Sequence, residues 1–173
     1  MFLFVILAVV FLLAFFYHLF FNFLVPLVSF GAVFAKSSPE IVEKIVRLSD
    51  AGAEERFVDI GSGDGRLVIA MAQKGIEAHG YEINPFLVIA SKIRIKQAGV
   101  SDKAFVHWGD FWKKDFSQFN IVSVYGISFM MGKLEAKLQK ELSPNSKVIS
   151  NYFTFPGWKS VKQINQVRLY IKS

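Results

Sequence analysis

The sequence predicts a doubly wound α/β domain built on a mostly parallel sheet and preceded by one transmembrane helix. All 20 Lys and Arg and all 14 Asp and Glu of the 173-residue chain lie after Ala35, so the first part of the chain is uncharged. After Ala35, short apolar segments alternate with longer amphipathic ones, a pattern typical of parallel strands joined by helical crossovers. We therefore divide the chain into an anchor with its linker, residues 1–35, and a soluble domain, residues 36–173.

The apolar segment at residues 2–21 is predicted to span a membrane. It is interrupted only by His18, and as a helix it is about 30 Å long, the thickness of the hydrocarbon core. Residues 25–34 are expected at the interface or against the domain. A cleaved signal peptide is the alternative, with residues 33–35 as the cleavage site, although no basic residue precedes the apolar segment. A hydrophobic helix packed on the domain is a further alternative.

The basic residues near the anchor predict its orientation. Lys36, Lys44 and Arg47 follow the apolar segment and none precedes it, so the positive-inside rule places the soluble domain in the cytoplasm. The lack of an Arg-rich presequence favours a prokaryotic cell membrane over the mitochondrial inner membrane. The net charge of +6 suits either nucleic acid or the anionic face of a membrane.

Composition excludes several kinds of site. The chain has no cysteine and only three histidines, so it has no disulfide and no thiol nucleophile, and no metal site is expected. No basic motif interleaved with aromatic residues is present, and we expect no nucleic-acid partner. Lys92, Arg94 and Lys96 form either a solvated helix face or a surface attracted to anionic lipid.

The soluble domain begins with a predicted helix. Residues 37–40, Ser-Ser-Pro-Glu, are typical of a helix start, with a serine N-cap, a proline in the first turn and a glutamate that completes a capping box. Ile41, Ile45 and Leu48 then lie on one face of a helix that extends to about Ala51.

Strands and helices alternate through the rest of the domain. The predicted strands are residues 56–60, 78–83, 104–108, 119–125 and 147–153, with a terminal hairpin of 161–164 and 167–171. The predicted helices are residues 67–73, 86–98 and 132–142, the second of which ends at Gly99.

A glycine-rich turn after the first strand predicts a ligand site, because ligands of such sheets bind at the carboxyl ends of the strands. Gly61, Gly63 and Gly65 alternate with Ser62 and an aspartate, and a turn without Cβ atoms lets the backbone approach a ligand closely. Asp59, one position before the end of the strand, would repel a pyrophosphate but attract a cationic amino group.

Two further acids follow the next two strands. Glu82 stands at the end of the second strand, where an acid can bond ribose hydroxyls. Asp110 follows the third strand, where it can accept from an adenine amino group while Phe111 covers the base. Acids at three successive strand ends fit a ligand with an amine, a ribose and an adenine, and that ligand is S-adenosylmethionine.

These residues carry a family resemblance. Residues 58–66, Val-Asp-Ile-Gly-Ser-Gly-Asp-Gly-Arg, followed by 80–85, Gly-Tyr-Glu-Ile-Asn-Pro, resemble class I (seven-β-strand) S-adenosylmethionine-dependent methyltransferases. More narrowly, they resemble the small membrane-anchored protein-lysine methyltransferases, which include the mitochondrial enzymes acting on adenine nucleotide translocase and on the ATP synthase c-subunit. The resemblance covers about residues 34–158. It implies a Rossmann-like, mostly parallel seven-stranded sheet, a hydrophobic N-terminal membrane segment and lysine methylation of a membrane protein.

The resemblance also implies which residues hold the cofactor. They are Asp59, Gly61, Gly63, Gly65, Glu82 and Asp110. Ser62, within the glycine turn, and Phe111, beside Asp110, are further candidates for cofactor binding. Residues 34–38 resemble the segment that precedes the first helix in this family, which is usually richer in proline than the Lys-Ser-Ser found here.

The wall that faces the methyl acceptor is expected after the fourth and fifth strands. Its candidate residues are Tyr125, Ser150, Tyr152 and Trp158, and no catalytic base is predicted. Residues 125–128, Tyr-Gly-Ile-Ser, differ from the Asn/Asp-Pro-Pro-Tyr/Phe tetrad of methyltransferases that act on planar amino groups. The leading hypothesis is methylation of lysine on a membrane protein. The alternatives are a small-molecule or lipid acceptor, and a membrane-associated cofactor-binding scaffold without catalysis.

Overall fold

The computed structural model describes residues 2–24 and 36–173. The helices are α1 (Phe2–Leu19), which continues into a π-helical segment (Phe20–Leu24), α2 (Pro39–Ser49), α3 (Arg66–Ala72), α4 (Pro85–Gln97) and α5 (Ser128–Glu141). The strands are β1 (Arg56–Ile60), β2 (Glu77–Glu82), β3 (Ala104–Trp108), β4 (Ile121–Val124), β5 (Lys147–Asn151), β6 (Lys162–Ile164) and β7 (Val167–Ile171). The interfacial segment at 25–34 and the alternative cleavage site at 33–35 lie outside the described residues.

The sheet has seven strands in the order β3-β2-β1-β4-β5-β7-β6. Strands β1 to β5 are parallel, whereas β7 is antiparallel to both β5 and β6. The predicted fold, a Rossmann-like α/β domain with a mostly parallel seven-stranded sheet, is confirmed. The chain proceeds outward from β1 to β3 on one side and from β4 onward on the other, so the crevice for a ligand lies beside β1.

Two apolar clusters cover the two faces of the sheet, because neighbouring strand residues point to opposite faces. Phe57 packs in one cluster with residues of α2 and α3. The adjacent Val58 packs in the other cluster with Leu134 and Leu138 of α5. Burial on both faces holds the carboxyl ends of the central strands in fixed positions.

The start of α2 differs from the prediction in one respect. Ser38 is the N-cap, and its side chain accepts the backbone N–H of Ile41 at 3.4 Å. Glu40 is therefore the second residue of the helix rather than the third, so the predicted capping box is wrong. The Glu40 carboxylate instead pairs with Lys44 one turn along, at 2.5 Å.

The elements after β3 are also shifted from their predicted bounds. Helix α5 begins at Ser128, four residues before the predicted start at Gly132. Gly132 is tolerated inside the helix, where a Cβ would lie 3.6 Å from Pro156. Strands β4 and β5 end at Val124 and Asn151, so the aromatic residues that follow lie in loops.

Helix α1 is apolar and exposed. Residues Phe4–Asn22 have a mean hydropathy of 2.7, with none of this stretch buried, and they are long and apolar enough to cross a membrane. One polar contact joins α1 to the domain, since the Tyr17 hydroxyl donates to Asn84 Oδ1 at 2.6 Å. The Tyr17 ring also packs on Phe86 at 4.3 Å.

Candidate active site

The turn between β1 and α3 depends on glycine for two different reasons. Gly61, Gly63 and Gly65 all have positive φ, at 76°, 55° and 75°. Around Gly61 the space that a Cβ would enter is open to 4 Å, so a ligand can approach the backbone there. At Gly65 a Cβ would lie 2.9 Å from the Cβ of Ser91, so this glycine permits close packing of α3 and α4.

Glu82, the acid predicted to bind the ribose, is hydrogen-bonded to this turn. Glu82 Oε2 accepts the backbone N–H of Gly63 at 2.9 Å, and Oε1 accepts that of Asn84 at 2.8 Å. Burial raises the pKa of the Glu82 carboxyl, and the backbone N–H groups of Asn84 and Gly63 offset part of that rise. The acid therefore holds the glycine turn and the start of α4 together.

Asp59 is a buried residue of β1. It is paired with Gly80 of β2 on one side and with Ser123 of β4 on the other. Burial is the main reason that the pKa of Asp59 rises to about 7, and the negative charges of Glu82 and Asp64 raise it further. The Ser123 side chain makes a hydrogen bond to the carboxylate that opposes the rise. A cation beside Asp59 would restore the ionised form.

The carboxylate of Asp64 is paired with two arginines. Arg66 donates from Nε to Oδ1 at 2.9 Å and from a terminal nitrogen to Oδ2 at 2.6 Å. Arg94 forms an ion pair with Oδ2 at 2.6 Å. Burial pushes the pKa of Asp64 upward, but these two guanidinium groups outweigh it and lower the pKa. Arg66 also donates to the backbone oxygen of Ser37 and so ties the segment before α2 to the turn.

A cleft of about 410 Å³, counting its open mouth, lies between this turn and the ends of β4 and β5. Its lining residues are Lys36, Ser37, Ile45, Asp59, Gly61, Ser62, Gly63, Asp64, Arg66, Leu67, Ser123, Val124, Tyr125 and Asn151. Two buried polar atoms here, Ser62 Oγ and Asn151 Oδ1, have no hydrogen-bond partner among the described residues.

Asp110 and Phe111 follow β3, the strand beyond β2, and do not line this cleft. The backbone N–H of Gly109 donates to the Glu82 carbonyl at 2.9 Å, which places the third acid one strand along from the second. Asp110 Oδ1 accepts the backbone N–H of Trp112 at 3.0 Å and caps a short 3₁₀ turn, Phe111–Lys113. The three predicted acids therefore end three neighbouring strands in the predicted order.

A family model described as the ANTKMT methyltransferase domain matches residues 59–162, more than half of the chain and nearly all of the site described above. The chain belongs to this methyltransferase family. The predicted resemblance is thereby confirmed, and fold and family are both those of an S-adenosylmethionine-dependent enzyme.

Curated relatives agree with the family. The chain is 42% identical over 125 residues to the human lysine N-methyltransferase of the ATP synthase c-subunit, a match that covers 72% of this chain and 53% of the relative. It is 37% identical to the mouse adenine nucleotide translocase lysine N-methyltransferase, over 75% of this chain and 57% of that one. A protein-lysine N-methyltransferase of Saccharolobus islandicus is 30% identical, over 70% and 77% of the two chains. The chain spans about half the length of these two mammalian relatives.

Solved structures share the fold. An RNA methyltransferase from Salinibacter ruber, in complex with S-adenosyl-L-homocysteine, superposes with a TM-score of 0.74 at 30% identity, covering 80% of this chain and 92% of that one. A methyltransferase from Thiobacillus denitrificans, also with S-adenosyl-L-homocysteine, gives a TM-score of 0.58 at 20% identity, over 65% and 48% of the two chains.

The cleft fits S-adenosylmethionine, the cofactor of this family, on three counts. The backbone at Gly61 is open to close approach, Ser62 Oγ lacks a partner among the described residues, and Asp59 is a buried acid that a cation would stabilise in its ionised form. S-adenosylmethionine carries an ammonium group and a sulfonium, which are the charges such a site stabilises.

The four residues predicted for the acceptor wall differ in their surroundings. Tyr125 lines the cleft, and Tyr152 is an exposed loop residue with φ of 70°; the rings of both lie beside that of Phe153, at 6.4 and 5.1 Å. Ser150 is buried opposite Val124 in the pairing of β4 with β5, and its hydroxyl donates to the Phe153 carbonyl. Trp158 packs between Phe155 and Tyr170 and donates from Nε1 to the Ile171 carbonyl at 3.1 Å.

Sequence reasoning missed four residues of the site. Asp64 and Arg66 belong to the glycine-rich motif, and a second acid and a base beside the glycines were a visible signal that the sequence prediction left without a role. Asn151 lies between Ser150 and Tyr152, two residues predicted for the acceptor wall, but was not itself chosen. Ser123 carries no signal along the chain, because only the pairing of β1 with β4 brings it to the cleft.

Proposed function

We propose that this methyltransferase transfers a methyl group from S-adenosylmethionine to the side-chain amine of lysine in a membrane protein. The observation that carries the proposal is the buried Asp59 in an open glycine-lined cleft, at the carboxyl edge of a sheet of this family. The names of the curated relatives, which are lysine methyltransferases, support the choice of acceptor.

Residues in the cleft and at the neighbouring strand ends would divide the work of holding the cofactor. Asp59 would attract its amino group, the open backbone at Gly61 would allow close approach, and Glu82 would bind the ribose hydroxyls. Asp110 and Phe111, after the neighbouring strand, would hold the adenine. When bound, S-adenosylmethionine would supply a methyl group on a positively charged sulfur. The neutral amine nitrogen would form a bond to the methyl carbon as the carbon–sulfur bond breaks, with S-adenosylhomocysteine as the leaving group.

The acceptor wall must orient the amine and favour its neutral form. Deprotonating a lysine of pKa about 10.4 at pH 7 costs about 4.6 kcal/mol, and desolvation in a cleft reduces this cost. Tyr125 and Asn151 line the cleft, and Asn151 Oδ1 has no partner among the described residues; in this proposal both accept N–H bonds from the amine. Correct orientation alone contributes roughly 7–11 kcal/mol to such displacements.

We propose that α1 anchors the enzyme in a membrane, with the catalytic domain on the cytoplasmic side. Its apolar, exposed stretch at Phe4–Asn22 and the basic residues that follow it support this arrangement. An anchor raises the effective concentration of membrane substrates around the site. Reporter fusions at the two ends of the chain test the orientation, and a C-terminus outside the cytoplasm would overturn it.

RNA is the second candidate acceptor, because the solved structure from Salinibacter ruber is that of a protein named as an RNA methyltransferase. Residues 125–128, Tyr-Gly-Ile-Ser, stand where methyltransferases of planar amino groups have their Pro-Pro tetrad, which favours lysine over an adenine amine. Lipid amines share the chemistry of lysine and are a third outcome to be tested.

The deciding experiment uses the full chain with membranes from cells that lack it, and methyl-labelled S-adenosylmethionine. Label in a protein band that hydrolyses to methyl-lysine supports the proposal. Label confined to the lipid extract or to RNA overturns the acceptor class. No label, with S-adenosylhomocysteine binding intact, indicates a scaffold without catalysis. Asp59→Asn is the control that must lose any genuine label.

A further inference from the structure

Helix α4 carries a row of large apolar side chains on its solvent side. Phe86, Ile89 and Ile93 are 58%, 55% and 54% exposed. At about 100° per residue they lie within about 60° of one another, on the side opposite the buried Val88 and Ile95. The inner apolar face of such a helix is buried against the domain, whereas an exposed apolar outer face indicates a contact with a partner or a membrane.

Basic residues flank this row, which we call the α4 stripe. Lys92 and Lys96 are exposed on one side of it, and Arg94, paired with Asp64, lies on the other. No acidic residue lies on α4. An apolar stripe bordered by lysines is typical of helices that lie in the interface of an anionic bilayer.

The hydrophobic helix α1 meets the α4 stripe at its first residue. The Tyr17 hydroxyl donates to Asn84, the N-cap of α4, at 2.6 Å, and its ring packs on Phe86 at 4.3 Å. Tyr17 lies five residues before Asn22, the end of the apolar stretch, which is about 7.5 Å along a helix. If α1 spans a bilayer as proposed, these contacts bring Phe86 close to the end of the span that precedes the domain.

We propose that the α4 stripe is a second membrane contact, which lies in the interface of an anionic bilayer beside the point where α1 enters it. This inference rests on the proposed anchoring by α1 but not on the nature of the methyl acceptor. Because α4 starts just after Glu82, the contact holds the carboxyl edge of the sheet and its cleft against the membrane surface.

A second copy of the chain fits the α4 stripe less well. Three side chains provide a small area for a stable dimer, and a symmetric pairing of two α4 helices would bring their lysines together. Charge complementarity with anionic lipid and continuity with α1 both favour the bilayer.

The absence of native cysteine allows a fluorophore to be placed at single engineered positions of the full chain. The variants are Ile93→Cys on the stripe, Glu54→Cys as an exposed control in the turn before β1, and Leu12→Cys inside the apolar stretch of α1. Each is labelled and reconstituted, one copy per nanodisc, in phosphatidylcholine with anionic phosphatidylglycerol. Quenching by lipids that carry a nitroxide near the headgroup reports contact with the interface, and lipids with a nitroxide on the acyl chain report insertion at position 12.

The label at position 93 is expected to be quenched several-fold more strongly than the label at position 54. Equal quenching at 93 and 54, with strong quenching at 12, overturns the α4 contact and leaves the anchor standing. Absence of quenching at 12 overturns the proposed anchor instead. Larger discs that hold more than one copy test for a dimer. If copies labelled at position 93 transfer energy to one another while the nitroxide lipids leave the label unquenched, the stripe is a dimer contact and the inference is overturned.

Discussion

The carboxylate of Glu82 accepts a hydrogen bond from the backbone N–H of Gly63 at 2.9 Å. The same carboxylate accepts the N–H of Asn84 through its other oxygen. A single buried acid thus joins the glycine turn that follows β1 to the N-cap of α4, which is also the residue that Tyr17 of α1 contacts. The glycine turn, the edge of the sheet and helix α1 therefore meet at this strand end.

Replacing Glu82 by Gln tests this junction. An amide has one acceptor oxygen, so one of the two backbone N–H groups faces an NH₂ donor, and we expect a loss of about 1–3 kcal/mol in the free energy of unfolding. The affinity for S-adenosylhomocysteine, measured by calorimetry, should fall at least about tenfold. The matched control is Glu77→Gln at the exposed start of the same strand, which loses only surface pairs with Arg56 and His79 and should bind normally. Equal losses in both variants would contradict the assignment.

Asp59→Asn should stabilise the ligand-free protein in a pH-dependent way. The pKa of Asp59 is about 7 in the fold and 3.8 when unperturbed, so between these values the folded state retains a proton that the unfolded chain has released. The contribution of Asp59 to stability is therefore fully present below the unperturbed pKa, and it is lost as the pH rises to about 7.

Denaturant unfolding at about pH 5 and about pH 8 measures this effect. We expect the gain from Asp59→Asn to be larger at the higher pH, while its affinity for S-adenosylhomocysteine falls at least about tenfold because the negative charge is gone. Asp102→Asn, at an exposed position, is the control. The same gain at both pH values would mean that Asp59 ionises normally.

Gly65→Ala should be more damaging than Gly75→Ala. Both glycines have positive φ, at 75° and 85°, so both variants incur backbone strain of about 1 kcal/mol or more. Only at Gly65 does the new Cβ collide with Ser91, at 2.9 Å, whereas nothing lies within 4 Å at Gly75. Thermal unfolding of the two variants measures the difference. Similar unfolding midpoints would show that α4 shifts away from the new Cβ without loss of stability.

Asn151→Ala should reduce methyl transfer more than it reduces stability. Its Oδ1 has no partner among the described residues, so the loss of this atom breaks no described hydrogen bond of the fold. We expect kcat/KM for the acceptor to fall about 10-fold or more. Trp158→Phe is the contrasting variant, because it loses the bond to Ile171 and should lower stability by about 1 kcal/mol with kcat/KM unchanged. The reverse outcome would return Trp158 to the acceptor wall.

The sequence alone determined the features that depend on local pattern. Alternating apolar segments predicted the parallel sheet, the glycines around Ser62 predicted the turn, and the acids at 59, 82 and 110 were expected at the ends of three neighbouring strands, where the structure has them. These features depend on chain direction and spacing, which the carboxyl ends of parallel strands convert directly into proximity.

Only the tertiary structure decided which side chains meet across the sheet. Trp158 and Ser150 remain predicted members of the acceptor wall, and only the structure shows the hydrogen bonds that they make within the fold, to the carbonyls of Ile171 and Phe153. Ser123 and Asn151 reach the cleft through strand pairing. The α4 stripe is identified as an exposed surface only because the structure shows that other residues of α4 form its buried face. The spacing of residues along a chain predicts which side chains share a helix face or a strand end. Which polar atoms form hydrogen bonds with one another depends on how the helices and strands pack.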